Sequence, residues 1–137
     1  GEKQYLCKRY PSIFTLFIRG IPSRNLKKLF VRRLDKYEMR ELPETGSSVS
    51  VPIVSGCFMF VRAEFFKELN GFDKKYFLYF EDFDLSLRMA KLGKLVFAPE
   101  VRINHGGGNA SRKGFRHLCY FVRSGLRFFN SYGWSFF

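Results

Sequence analysis

Acidic side chains are scarce in this sequence of 137 residues: 12 Asp and Glu stand against 24 Lys and Arg, a formal net charge of +12. Cysteine is scarcer still. Cys7, Cys57 and Cys119 are odd in number and far apart, which excludes a disulfide framework and any Cys-x-x-Cys redox or zinc motif. Buried, reduced thiols in a cytosolic setting are the expectation. No apolar run approaches the ~20 residues that a helix needs to cross a bilayer. The start carries no signal-peptide pattern, and it opens on Gly1 instead of Met, which suggests part of a longer chain. No internal repeat is present. What the sequence has in abundance is aromatic: 18 Phe lift the aromatic share to 19%, with 46% of residues hydrophobic, a composition that excludes disorder as the general state. The length fits one domain or a part of one.

The charge is unevenly placed. Residues 1–40 carry 11 Lys/Arg against 3 acids, and residues 112–137 carry 5 Lys/Arg and no acid, whereas Glu64 to Asp84 holds 6 acids and 3 Lys. Two basic flanks thus bracket an acidic centre. Such flanks suit an anionic partner: nucleic acid, a lipid headgroup surface or a phosphate-bearing ligand.

The pattern of caps and breakers predicts the elements. Tyr5–Tyr10 reads as a strand stopped by Pro11. Ser12 caps a helix over Ile13–Arg19, and Ser23 caps a second over Arg24–Leu34 with Leu26, Leu29 and Phe30 as its apolar face. Glu41–Ser50 is a loop. Val51–Val61 is a buried strand, or two broken at Ser55-Gly56. Ala63–Leu69 is a helix ended by Asn70-Gly71 in a left-handed C-cap. Glu81–Leu92 is a helix closed by Gly93, Leu95–Ala98 a strand and Val101–Asn104 an extended piece. Gly106–Gly114 is a glycine-rich loop, and Phe115–Tyr132 is an aromatic helix.

The centre of interest is the run YFLYFEDFDLSLRMAKLGKLVFAPEVRINH, Tyr76 to His105. It sets Glu81, Asp82 and Asp84 behind an aromatic lead-in. At the first turn of a helix, carboxylates meet exposed N–H groups and the favourable end of the dipole, so a helix cap is one reading. A metal site and a general base are the others. One acid suffices for a cap and two adjacent ones are present. A carboxylate in an apolar pocket keeps a useful basicity only if hydrogen bonds and dipole offset desolvation, which is what a general base requires. Asp84 and Arg88 form an i, i+4 pair. Asp82-Phe83-Asp84 therefore spells Asp-x-Asp by coincidence. His117 reads as structural, Gly106–Gly108 lacks the Lys-Ser/Thr of a phosphate loop, and Asn109-Ala110-Ser111 is a glycosylation sequon by letter only.

The ordered pieces VSGCFMFVRAEFF, LNGFDKKYFLYFEDFDLSLRMAKLGKLVFAPE and VRINHGGGNAS resemble the C-terminal half of family-2 glycosyltransferases with the GT-A fold, above all the rhamnosyltransferase-like branch of bacterial surface polysaccharide synthesis. The resemblance covers about half of the chain. Lys8-Arg9-Tyr10-Pro11-Ser12 fits an upstream element of that family more loosely, and Asn70 stands where the first Gly of a Gly-Gly-Phe-Asp motif is usual.

The resemblance implies an α/β fold: the C-terminal portion of a GT-A domain, a mixed sheet flanked by helices, with the nucleotide-binding half and its Asp-x-Asp missing. It divides the chain into a basic helical and loop region at 1–47, an acceptor-side catalytic core at 48–112 and a basic aromatic helix at 113–137. It implies an inverting transfer of a sugar, rhamnose being the branch's own, from a nucleotide-diphosphate sugar to a glycan or a polyprenyl-diphosphate-linked saccharide. Asp82 would be the base and Glu81 its flanking carboxylate, orienting it or binding acceptor hydroxyls. Ser55 and Gly56 would lie at the acceptor and the sugar. His105 would help to hold a divalent metal, Mg²⁺ or Mn²⁺, on the donor diphosphate. The fragment alone is expected to be inactive, and the enzyme to sit in the cytoplasm at the inner face of the membrane.

For Phe115–Phe137, with Arg interleaved among aromatics, packing, a membrane-surface helix and nucleic-acid binding all remain open. No nucleic-acid-binding signature supports the last. A non-catalytic basic module for anionic membrane or RNA is the rival to the enzyme.

Overall fold

The structure is a computed structural model that describes residues 3–106 and 114–137. The glycine-rich stretch expected as a loop, and the boundary at 112/113, fall largely outside them. In chain order the elements are β1 (Cys7–Lys8), α1 (Ile13–Gly20), α2 (Arg24–Leu29), α3 (Val31–Tyr37), β2 (Val49–Ser50), β3 (Ile53–Val54), α4 (Ala63–Glu68), α5 (Glu81–Met89), β4 (Val96–Phe97) and α6 (Gly114–Tyr132).

The mixed sheet expected from the resemblance is absent among the described residues. Two separate antiparallel pairs stand in its place, β1 with β3 in the register Cys7↔Val54 and β2 with β4 in the register Val49↔Phe97. Each strand has a single partner, so nothing propagates a ladder beyond two residues. The second half of the expected Val51–Val61 strand is also lost: Phe58 and Phe60 are exposed and find no strand to pair with.

Caps behave as their chemistry requires. Ser12 Oγ accepts from Thr15 N at 3.2 Å and starts α1. The α4 terminus is a Schellman motif, with Asn70 N donating to Lys67 O and Gly71 N to Phe66 O, both at 2.9 Å. Asn70 and Gly71 have φ of 57° and 68°, and Phe66 packs edge-on against Phe72 across the cap. The helix expected over Arg24–Leu34 breaks at Phe30 (φ −112°, ψ 20°) into α2 and α3. The turn lets Phe30 pack edge-on against Phe14 of α1, while Arg33 covers the same ring and donates to Thr15 Oγ1. Leu26 and Leu29, expected as an inner face, are exposed.

Two cores result. One gathers Tyr76, Phe80, Phe128 and Phe129 between the lead-in to α5 and the inner face of α6. Phe128 is fully buried, which contributes about 1.5–3 kcal/mol. The other joins Cys7, Met39 and Val51 beneath the strand pairs. The Lys8–Ser12 stretch ties the parts together: Lys8 is buried in β1, Arg9 pairs with Glu41, Tyr10 donates to Gly133 O at 2.8 Å and Ser12 caps α1.

Candidate active site

The site is built where the end of β3 meets the start of α5. Ser86, fully buried in the middle of α5, fixes the meeting. Its hydroxyl accepts from Val54 N at 3.1 Å and donates to Val54 O at 3.2 Å, so the helix completes the free side of a strand. One turn earlier, Asp82 reaches the residues that follow β3. Its Oδ2 accepts from Gly56 N at 2.8 Å and its Oδ1 from Phe83 N at 2.9 Å. A Cβ on Gly56 would lie 3.3 Å from Asp82 Cβ, tighter than most real contacts, so the carboxylate rests directly on bare backbone.

The turn into α5 is strained. Tyr79 and Phe80 both adopt the left-handed conformation, with φ of 67° and 63°. For bulky residues this costs of order 1–3 kcal/mol each and persists only where the surroundings over-determine it. Here they do: Phe80 is buried against Phe83, Phe121 and Phe128, and Tyr79 OH meets His117 Nδ1 at 3.0 Å. The aromatic lead-in thus forces the chain through a turn that it would not otherwise take. Phe80, and neither acid, occupies the N-cap, and it offers no side-chain cap bond. Glu81 and Asp82 lie in the first turn as expected, where Asp82 Oδ1 accepts from Phe83 N, but Asp82 spends its other oxygen on another segment.

Burial raises the Asp82 carboxyl above the usual aspartate range, opposed by hydrogen bonds from the Gly56 and Phe83 backbone and from Ser55. Glu81 is raised too, first by burial and then by the neighbouring Asp82 charge, and its Oε2 is buried with no hydrogen-bond partner. Tyr37 lies close enough to Asp82 to feel its charge, and its buried hydroxyl is likewise unpaired. Asp84 turns the other way. It pairs with Arg88 at 2.7 Å and accepts from Tyr132 OH at 2.6 Å. Asp82-Phe83-Asp84 therefore sends its carboxylates to different partners.

Glu81, Asp82, Ser55 and Gly56 are brought together; His105 is not joined to them. Its exposed ring meets Gln4 Oε1 at 3.2 Å. Gln4 is two residues from Leu6, whose carbonyl accepts from Ser55 N at 2.8 Å, so one extended segment connects the two. Among the described residues no group of three or more His, Cys, Asp or Glu side chains gathers as metal ligands. The residues at hand do not fit a resident divalent metal by themselves. Ser86, Tyr37 and the Tyr79–Phe80 turn were not found from sequence. A serine on the helix face that also bears Leu85 and Met89 is the one signal that could have pointed to the first.

Comparisons with known proteins identify the family. The profile of the family described as "Glycosyltransferase like family 2" matches residues 22–118. The chain belongs to that family. It is 37% identical over 68 residues to the N-acetylglucosaminyl-diphospho-decaprenol L-rhamnosyltransferase of Mycobacterium tuberculosis, covering 48% of this chain and 22% of that protein. It is 39% identical over 70 residues to the rhamnosyltransferase WbbL of Escherichia coli K12, covering 50% of this chain and 26% of that protein. The match thus spans about a quarter of the length of either relative. No solved structure matches significantly.

Proposed function

We propose that this chain forms the acceptor side of an inverting glycosyltransferase, with Asp82 as the base. The observation that carries the reading is the half-buried Asp82 carboxylate, seated on Gly56 N–H at 2.8 Å with its basicity raised by partial desolvation. An acceptor hydroxyl placed against Asp82 loses its proton to the carboxylate as its oxygen attacks the anomeric carbon. The bond from that carbon to the nucleotide diphosphate breaks, and the diphosphate leaves with the electron pair. A single carboxylate base meets the needs of this step. Glu81, the half-buried carboxylate next to Asp82, is the candidate to hold a second acceptor hydroxyl. Ser55 and Gly56 form the wall on which the sugar rests.

Both relatives' names support a rhamnosyl donor, and that of the Mycobacterium tuberculosis relative a lipid-linked saccharide acceptor; the same proposal sets the work at the cytoplasmic face of the membrane. His105 is one candidate ligand for a Mg²⁺ or Mn²⁺ ion on the donor. No step of the reading runs through that metal. A purely anion-binding module leaves the strained turn and the Asp82–Gly56 contact without a role.

The test is Asp82→Asn in an enzyme that carries this chain together with a donor-binding region. Turnover is expected to fall by about 10²–10⁴, the scale of general-base loss, with donor affinity nearly unchanged. Near-normal turnover would overturn the assignment.

A further inference from the structure

We propose that the outer face of α6 docks on an anionic lipid surface. The apolar surface of the helix is wider than the part that the core covers. Ser124, Gly125, Phe128 and Phe129 are buried inside; a Cβ on Gly125 would lie 3.4 Å from the Phe80 ring, so the helix closes directly on that ring. Phe115, Leu118, Val122 and Leu126 recur at i, i+3, i+7 and i+11 along the flank beside this buried face, in line with Phe129, and each is at least 49% exposed. Arg123 and Arg127 line one groove with this stripe, Arg116 lies beside Phe115, and none of the three is ion-paired among the described residues. The sequence holds no Asp or Glu after Glu100.

The chemistry of this face selects the occupant. A second copy packed on the same stripe would set three arginines against three arginines with no acid to relieve them. A single strand of nucleic acid could stack on Phe115, Trp134 and Phe136 at the ends of the face, but Leu118, Val122 and Leu126 along its length are aliphatic and offer it nothing. A bilayer surface accepts both parts, with aliphatic side chains at the acyl boundary and guanidinium groups among anionic headgroups. No helix among the described residues is long and apolar enough to cross a membrane, so the helix would lie in the interface. At 1.5 Å per residue its 19 residues extend about 28 Å. Trp134 and Phe136, stacked at 6.0 Å just beyond its end and both exposed, extend the apolar face.

The inference does not depend on Asp82 acting as a base, and its test leaves catalysis aside. The whole chain is sedimented with phosphatidylcholine vesicles, with and without phosphatidylglycerol. Binding is expected to the anionic vesicles, to be weak on neutral ones, and to fall with salt as screening shortens to about 10 Å at 0.1 M. Each basic side chain near such a surface adds about fivefold to the partition constant, so Arg116→Gln, Arg123→Gln and Arg127→Gln together lower it about a hundredfold. Leu118→Ser, Val122→Ser and Leu126→Ser, all exposed, lower it as well without changing the circular dichroism. Equal binding by either triple variant would overturn the proposal. So would self-association that the Ser variant abolishes, or preference for RNA over anionic vesicles at matched salt.

Discussion

At Asp82, desolvation works against the charge while the N–H groups of Gly56 and Phe83 and the Ser55 side chain favour it; the balance falls on the side of a raised carboxyl. The native state therefore binds this proton more tightly than the unfolded chain does. The stabilisation from protonation is present at low pH and is lost as pH rises through the native value. At neutral pH the ionised carboxylate costs stability. Asp82→Asn is expected to raise the stability of the chain by about 1 kcal/mol at pH 7, and the gain should vanish once acid has protonated Asp82. Thermal unfolding at the two pH values checks this. A variant less stable than the parent at pH 7 would mean that the hydrogen bonds outweigh burial. With Asp82 in the proposed role of base, turnover should also fall as pH drops through the raised value. Glu81 and Asp82 were legible in sequence as an acidic pair behind aromatic residues. That they follow two left-handed residues was not, because no glycine or asparagine marks Tyr79 and Phe80.

Among the elements, α5 is the one on which the others are hung. Ser86 fastens it to β3. Asp84 and Arg88 fasten it to α4 and α6, since Arg88 also donates to Leu69 O at 3.0 Å and Gly71 O at 2.8 Å, while Tyr132 donates to Asp84. The i, i+4 spacing of Asp84 and Arg88 was plain in the sequence, but not the two carbonyls that Arg88 serves at the α4 cap. Because Asp84 is buried, Arg88→Leu leaves an uncompensated charge and is expected to cost about 3–5 kcal/mol. Adding Asp84→Asn should recover a good part of the loss. Urea unfolding of the single and double variants measures the coupling, and additive losses would show that the pair is not the reason. Ser86→Ala strips the Val54 backbone of a partner and is expected to cost about 1–3 kcal/mol. The helix starts at Ser12 and Ser23 and the stop at Asn70-Gly71 were legible because caps are local. The break at Phe30 was not, because it depends on Phe14, sixteen positions away.

For the whole molecule, the sequence signalled helices around a carboxylate site, while the extent of the sheet escaped it. Strand length depends on partners that no local pattern names, and here each pair stops at two residues. The match to the two rhamnosyltransferases covers about a quarter of either protein, and the described residues gather no metal-binding group. Under the proposed function, both observations leave the donor side to another region. Transfer requires a diphosphate whose charge is met as it leaves, and the role proposed for Asp82 reaches only the acceptor's proton. The 137-residue chain by itself is therefore expected to release no nucleoside diphosphate from nucleotide-diphosphate sugars, with or without Mg²⁺ or Mn²⁺. Calorimetry should detect no tight donor binding. Transfer to a saccharide acceptor is expected only when a donor-binding region is supplied, and it should then depend on Asp82. Turnover by the chain alone would mean that its own basic residues serve the diphosphate, and the division of labour argued from Asp82 would fall.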